Sequence, residues 1–222
     1  MTPLPAAEVS FSQLHSRALR LWHWATFIII LLILFTVFTA KFYVNPFSAA
    51  PLIKEGLAKQ GITVTHQQAF QATDGLDSRV WLWHQRYGYV LAILFLFRIG
   101  LEFFQPSDEK FFTRIKRSIL SLRARKQKST IHYLTIRIIY LLFYLVLTTI
   151  ITTGLLLSFF EDNFTPEKAH SIKEIHEKCF YIILIFILFH ITGVLLAERR
   201  GHKNIVSGMI HGGKDHTNTS RP

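Results

Sequence analysis

Four of the eleven histidines lie within or at the ends of long apolar stretches, where an ionisable side chain is costly and usually marks a functional site. They are His23, His84, His176 and His190. Neutral imidazole is the commonest metal ligand among side chains. A single such histidine could equally hydrogen-bond a neighbouring helix or face headgroup water. Four together are more constrained, because their positions along the chain determine the depth of each one.

The spacing of His176 and His190 places them on one helix face. His190 lies within the last apolar stretch, and His176 lies just before that stretch, fourteen residues earlier on the same predicted helix. In an α-helix this separation is a rise of about 21 Å and a rotation of only about 40° between the two side chains. Both imidazoles therefore point the same way, one towards each end of the stretch.

Four stretches are long and apolar enough to cross a bilayer. A hydrocarbon core of about 30 Å requires about 20 residues of helix, and backbone polar groups in lipid must be satisfied within the helix itself. The second stretch contains His84, Arg86 and Arg98, whereas the other three contain no charged residue. The sequence predicts an all-α, integral membrane four-helix bundle in contact with lipid, with spans at Leu21–Ala40, Val80–Leu101, Ile138–Phe160 and Cys179–Ala197.

The formal net charge of +11 comes from basic residues that cluster on one side of the predicted membrane. Residues 105–131 contain eight Lys or Arg, and the segment after Glu198 adds more. The positive-inside rule makes these segments and both termini cytoplasmic, so we interpret the charge as an orienting signal and expect no nucleic-acid partner. The predicted organisation is a cytoplasmic lead 1–18, a membrane domain 19–200 with an external loop 44–79 and a cytoplasmic loop 105–131, and a cytoplasmic tail 201–222.

This topology sorts the four histidines into two pairs at two depths. The first span runs outward and puts His23 level with His190, whereas the second runs inward and puts His84 level with His176. Two imidazoles that face each other across a bundle core form an axial pair for a six-coordinate haem iron. Zinc would need three or four ligands at one depth. The single cysteine, Cys179, excludes a Cys-x-x-Cys-His motif and hence covalent c-type haem.

Three further residues are candidates for contact with such a haem. Gly88 and Gly193 follow His84 and His190 by one helical turn, and a porphyrin face needs helix surface with little side chain. The alternative is that these glycines let helices pack closely. Arg98 follows His84 by fourteen residues, so it shares that helix face at the inner depth. It could pair with haem propionates or extend to the cytoplasmic interface.

These residues resemble a known family over nearly all of residues 13–213. The chain is similar to the bacterial di-haem cytochromes b of the cytochrome b-561 type, which are related to the b-type cytochrome subunit of nickel–iron hydrogenases. The resemblance implies two non-covalent haems b with the four histidines as axial ligands, a quinone as electron partner, and a redox partner on the external side. The matching stretches are Arg20–Trp24, Trp83–Tyr89, Ile175–Glu177, His190–Val194 and Glu198–Gly213.

The histidine pattern and the family resemblance together predict a protein that carries electrons across the bacterial plasma membrane, as part of a respiratory chain. It would connect the quinone pool to an external oxidoreductase subunit or c-type cytochrome, as a membrane subunit rather than a complete enzyme. One alternative is a stand-alone quinone-linked oxidoreductase that acts on a small oxidant such as superoxide. Another is a membrane transporter without redox function.

Two regions are candidates for contact with the electron partners. A quinone head needs hydrogen-bond donors at the edge of the hydrocarbon, and the inner side offers His23, Arg98 and His132. The external loop 44–79 is longer than helix-to-helix connections usually are and contains several apolar residues. We interpret it either as a docking surface for the external partner or as a cap over the outer haem.

The orientation of the chain can be tested with reporter fusions. We expect fusions within residues 105–131 and at both termini to report a cytoplasmic location, because these segments carry the excess of basic residues. A fusion within residues 44–79 is the matched control and should report the external side. An external signal from the 105–131 fusion would show that the orientation is wrong.

Overall fold

The described part of the chain is entirely helical. The structure, a computed structural model, describes residues 17–104, 128–199 and 209, with backbone only for residues 102–104 and 128–137. Within these ranges there is no strand. The helices are α1 (Arg17–Phe42), α2 (Pro46–Ala58), α3 (His66–Phe104), α4 (Lys128–Phe160) and α5 (Pro166–Arg199), with a 3₁₀ turn at Glu161–Asn163. The predicted lead, most of the 105–131 loop and most of the tail lie outside the described residues and stay predictions.

Three of these helices are long and apolar enough to cross a membrane: α1, the 138–163 part of α4 together with the 3₁₀ turn, and α5. Within the described residues helix α3 is not among them, and its 80–101 stretch contains Arg86 and Arg98. It nevertheless packs against α1 and α4, and α4 packs against α5. The prediction of membrane helices is therefore confirmed for three segments.

Much of the predicted external loop 44–79 is helical. Helix α2 occupies its first half, and α3 begins at His66, fourteen residues before the predicted span begins at Val80. Both starts are capped. The Asn45 side chain accepts a hydrogen bond from the Phe47 N–H at 3.0 Å, and Thr65 and Gln68 form a reciprocal capping box. These caps extend ordered structure well beyond the apolar spans.

Helix α2 packs closely on the first turns of α3. Its Ala50 is fully buried, and Ala69 and Thr73 of α3 are buried too. Small side chains at these positions allow close approach of the two helix backbones. The turn between the helices contains Gly61 at a φ of +77°, a conformation that glycine adopts without steric penalty.

The four long helices share one apolar layer. Each contributes one buried residue: Ile30 from α1, Leu91 from α3, Leu147 from α4 and Ile183 from α5. Large apolar side chains elsewhere are exposed, including Phe189 at 75 %. An apolar surface around a thin apolar core fits helices that face lipid on the outside.

We expect Leu147→Ala to destabilise the fold, because Leu147 is 0 % exposed at the centre of the shared layer. Removing a buried leucine side chain typically costs about 2–5 kcal/mol. Leu145→Ala is the matched control, since Leu145 lies on the same helix and is 63 % exposed. Thermal unfolding in detergent should show a lower transition temperature for Leu147→Ala alone. Equal transition temperatures would contradict the position of this layer.

Candidate haem-binding site

The structure brings the four histidines together in two pairs. His23 of α1 lies beside His190 of α5, with ring centroids 6.3 Å apart and ring planes inclined by 67°. His84 of α3 lies beside His176 of α5, again with centroids 6.3 Å apart and an inclination of 72°. Helix α5 thus contributes one histidine to each pair, and α1 and α3 contribute the others.

The separation within each pair matches the gap that a shared metal ion would fill. A metal–imidazole bond is about 2.0 Å long and the ring nitrogen lies about 1.1 Å from the ring centre, so two imidazoles on opposite sides of one ion would have centroids about 6.2 Å apart, close to the observed 6.3 Å. Within the described residues there is no group of three or more His, Cys, Asp or Glu that could hold a metal ion. Two facing imidazoles at this separation could hold one metal ion between them, and a haem would supply the remaining ligands from its macrocycle.

A cavity of about 410 Å³ lies beside the His84–His176 pair. Cofactor sites commonly measure about 300–1,000 Å³. Both histidines and Gly88 line the cavity, and apolar side chains of all four long helices surround them. Its charged lining residues are Lys41, Glu161, Lys173 and Glu177. Apolar walls with two imidazoles suit a large, flat cofactor, and Lys41 and Lys173 are the lining residues that could pair with carboxylates on it.

Two threonines complete the surroundings of this pair. Thr36 Oγ1 lies 3.0 Å from His84 Nδ1, and Thr153 Oγ1 lies 3.0 Å from His176 Nδ1. Each threonine belongs to a helix that does not carry the histidine it contacts. Hydrogen bonding at Nδ1 directs the other ring nitrogen, Nε2, towards a ligand.

A family model described as prokaryotic cytochrome b561 matches residues 14–212, which is most of the chain. The chain belongs to the prokaryotic cytochrome b561 family. No curated protein and no solved structure matches it in the comparisons. Membership makes this a bacterial membrane cytochrome of the b type that binds haem b and acts in electron transfer.

In this cytochrome b561 protein the His23–His190 pair has aromatic neighbours. His190 stacks on Phe186 with ring planes only 6° apart, and His23 contacts the edge of Trp24. The Trp24 indole donates a hydrogen bond to the Met209 carbonyl at 3.3 Å, so a residue beyond α5 contacts the helix that carries His23.

Arg98 lies between two aromatic residues of neighbouring helices. Its Nε donates to the Tyr144 hydroxyl at 3.1 Å, and its guanidinium lies 5.7 Å from the centre of the Trp22 ring. The arginine therefore links α3 to α1 and α4. Its contact with a haem propionate stays a prediction. For His132 only the backbone, in α4, is described.

The glycines differ in what surrounds them. A Cβ atom on Gly88 or Gly193 would meet no atom within 4 Å, and Gly88 lines the cavity. A Cβ atom on Gly154 would lie 3.1 Å from Cε1 of His176. The missing side chain of Gly154 therefore leaves room for the His176 ring.

Gly154→Val should displace the His176 ring, because the valine methyl groups would extend beyond a Cβ that is already in tight contact. We expect a lower haem b content per purified chain, measured by pyridine haemochrome absorbance. Gly100→Ala is the control, since its Cβ would meet nothing within 4 Å. Full haem content in Gly154→Val would show that the position of this ring does not matter for haem binding.

Proposed function

We propose that this cytochrome b561 protein binds two haems b and carries electrons across the plasma membrane between the quinone pool and an external redox partner. The proposal is supported by the two histidine pairs, His23–His190 and His84–His176, each with ring centroids 6.3 Å apart. Bound haem iron supplies one-electron exchange between its ferrous and ferric states. The chain supplies the ligands, the spacing between them and the exclusion of water.

The two pairs stand at different depths of one bundle. On α5 their histidines are fourteen residues apart, or about 21 Å along the axis, whereas the bilayer core is about 30 Å thick. One pair therefore lies towards each face of the membrane. Two sites so placed are suited to movement of electrons from one side to the other.

We include α3 as the fourth span. It packs against α1 and α4, and its Leu91 belongs to the shared apolar layer. Its polar side chains in the 80–101 stretch have partners that suit a span. His84 faces His176 and Thr36, and Arg98 contacts Tyr144. Arg86 stacks over Trp83 at 4.9 Å, as expected near a membrane interface. With four spans, both termini lie on the same side of the membrane. The basic segments indicate that this side is cytoplasmic.

The two faces of the bundle differ in what they offer to an electron partner. On the inner side, Arg98 and Tyr144 provide hydrogen-bonding groups at the depth where a quinone head would lie. On the outer side, α2 and the first turns of α3 present Phe47, Leu52 and Leu76 as exposed apolar side chains. We propose quinone exchange at the inner side, and contact with an oxidoreductase subunit or c-type cytochrome at the outer side.

Haem stoichiometry in histidine variants tests the proposal. The purified wild type should give a reduced-minus-oxidised b-type spectrum with two haems per chain. His84→Ala should lose the outer haem and His23→Ala the inner one, because each removes one axial ligand of a different pair. His170→Ala is the matched control, since this histidine is largely exposed beside Glu174 and belongs to neither pair.

Three results would contradict this assignment. A wild type without haem bands would exclude a di-haem electron carrier. A His84→Ala protein that kept two full haems would exclude the pairing. Loss of the same haem in His23→Ala and His84→Ala would place both histidines at one site.

A further inference from the structure

The hydrogen bonds of Thr36 determine where the proton of His84 lies. Thr36 Oγ1 is 2.6 Å from the Ile33 carbonyl, which can only accept, so the single hydroxyl proton points to that carbonyl. Towards His84 Nδ1, 3.0 Å away, the hydroxyl oxygen can then only accept. The imidazole therefore carries its proton on Nδ1.

The same arrangement recurs at the other member of the outer pair. Thr153 Oγ1 lies 2.8 Å from the Thr149 carbonyl and 3.1 Å from the Ile150 carbonyl, which take its proton. It accepts from Nδ1 of His176 at 3.0 Å.

We propose that Thr36 and Thr153 are positioning residues that hold both outer histidines with the proton on Nδ1 and the Nε2 lone pair available to iron. A neutral imidazole has one protonated nitrogen, so protonation at Nδ1 leaves Nε2 as the ligand atom. This inference rests on the proposed function. It adds that the outer haem is tuned by two hydroxyl groups from helices that do not carry its ligands.

Both hydroxyls lie where water cannot replace them. Thr36 is 6 % exposed and Thr153 is 8 % exposed. A buried N–H without an acceptor is costly, so loss of either hydroxyl should weaken the hold on the ring. Donation from Nδ1–H also makes Nε2 a stronger electron donor, which stabilises ferric iron and lowers the midpoint potential.

A role in packing alone makes a different prediction. Valine has nearly the shape of threonine and would preserve helix contacts, whereas serine would preserve the hydroxyl and lose a methyl group. Thr148 is a matched control on α4, because its hydroxyl donates to the Tyr144 carbonyl at 2.7 Å and no contact with a histidine accompanies that bond.

The experiment compares the full-length protein with Thr36→Val, Thr153→Val, Thr36→Ser and Thr148→Val. Spectroelectrochemical titration gives the potential of each haem, and competition with apo-myoglobin gives haem retention. Both valine variants at positions 36 and 153 should raise the potential of the outer haem and weaken its retention by about 10-fold or more. The inner haem should keep its potential, and Thr36→Ser and Thr148→Val should match the wild type.

Unchanged outer-haem potential and retention in both valine variants would overturn the inference while leaving the proposed function intact. So would equal shifts in Thr36→Val and Thr36→Ser, which would indicate packing. If one valine variant fails to fold, the other still tests the inference, because Thr36 and Thr153 lie on different helices. A wild type without two haems would instead remove the proposed function.

Discussion

An imidazole inside a hydrocarbon layer has no water to satisfy its two ring nitrogens, so each nitrogen needs a partner within the protein. For His84 and His176 the partner of Nδ1 is a threonine hydroxyl. Nε2 of each ring needs a second partner. Under the proposed function, one haem iron held by both histidines would be the partner of both rings.

This requirement determines which helices the bundle needs. The His84–His176 pair comes from α3 and α5 and its threonines come from α1 and α4, so all four long helices contribute to one candidate site. The inner pair uses α1 and α5. Gly154 adds a steric condition, since only a residue without a Cβ leaves ordinary space for the His176 ring. The packing of the four long helices therefore also determines the positions of the candidate haem-binding residues.

The pairing of histidines could be derived from sequence because it depends on helix rise and chain direction alone. A spacing of fourteen residues sets depth and face without knowledge of neighbouring helices. Thr36, Thr153 and Tyr144 were missed because their roles depend on how α1 and α4 are rotated against the other helices, which apolar stretches do not reveal. Helix α2 and the early start of α3 were missed for another reason. Their signals, Asn45-Pro46 and the Thr65–Gln68 box, were present in the sequence but lie outside the apolar spans that defined the helices.

The shared apolar layer lies midway between the two histidine pairs. Ile30, Leu91 and Ile183 each stand seven residues from a histidine of their own helix, and Ile183 is equidistant from His176 and His190. Seven residues are two helical turns, or about 10.5 Å, so the layer separates the sites at equal distance from both. Phe143 and Phe186 stack at 4.4 Å beside it. Moving an ion into such a layer is strongly unfavourable, whereas an electron can cross between two bound redox groups without a polar path. Under the proposed function the same residues that hold the bundle together therefore keep protons and ions from following the electrons.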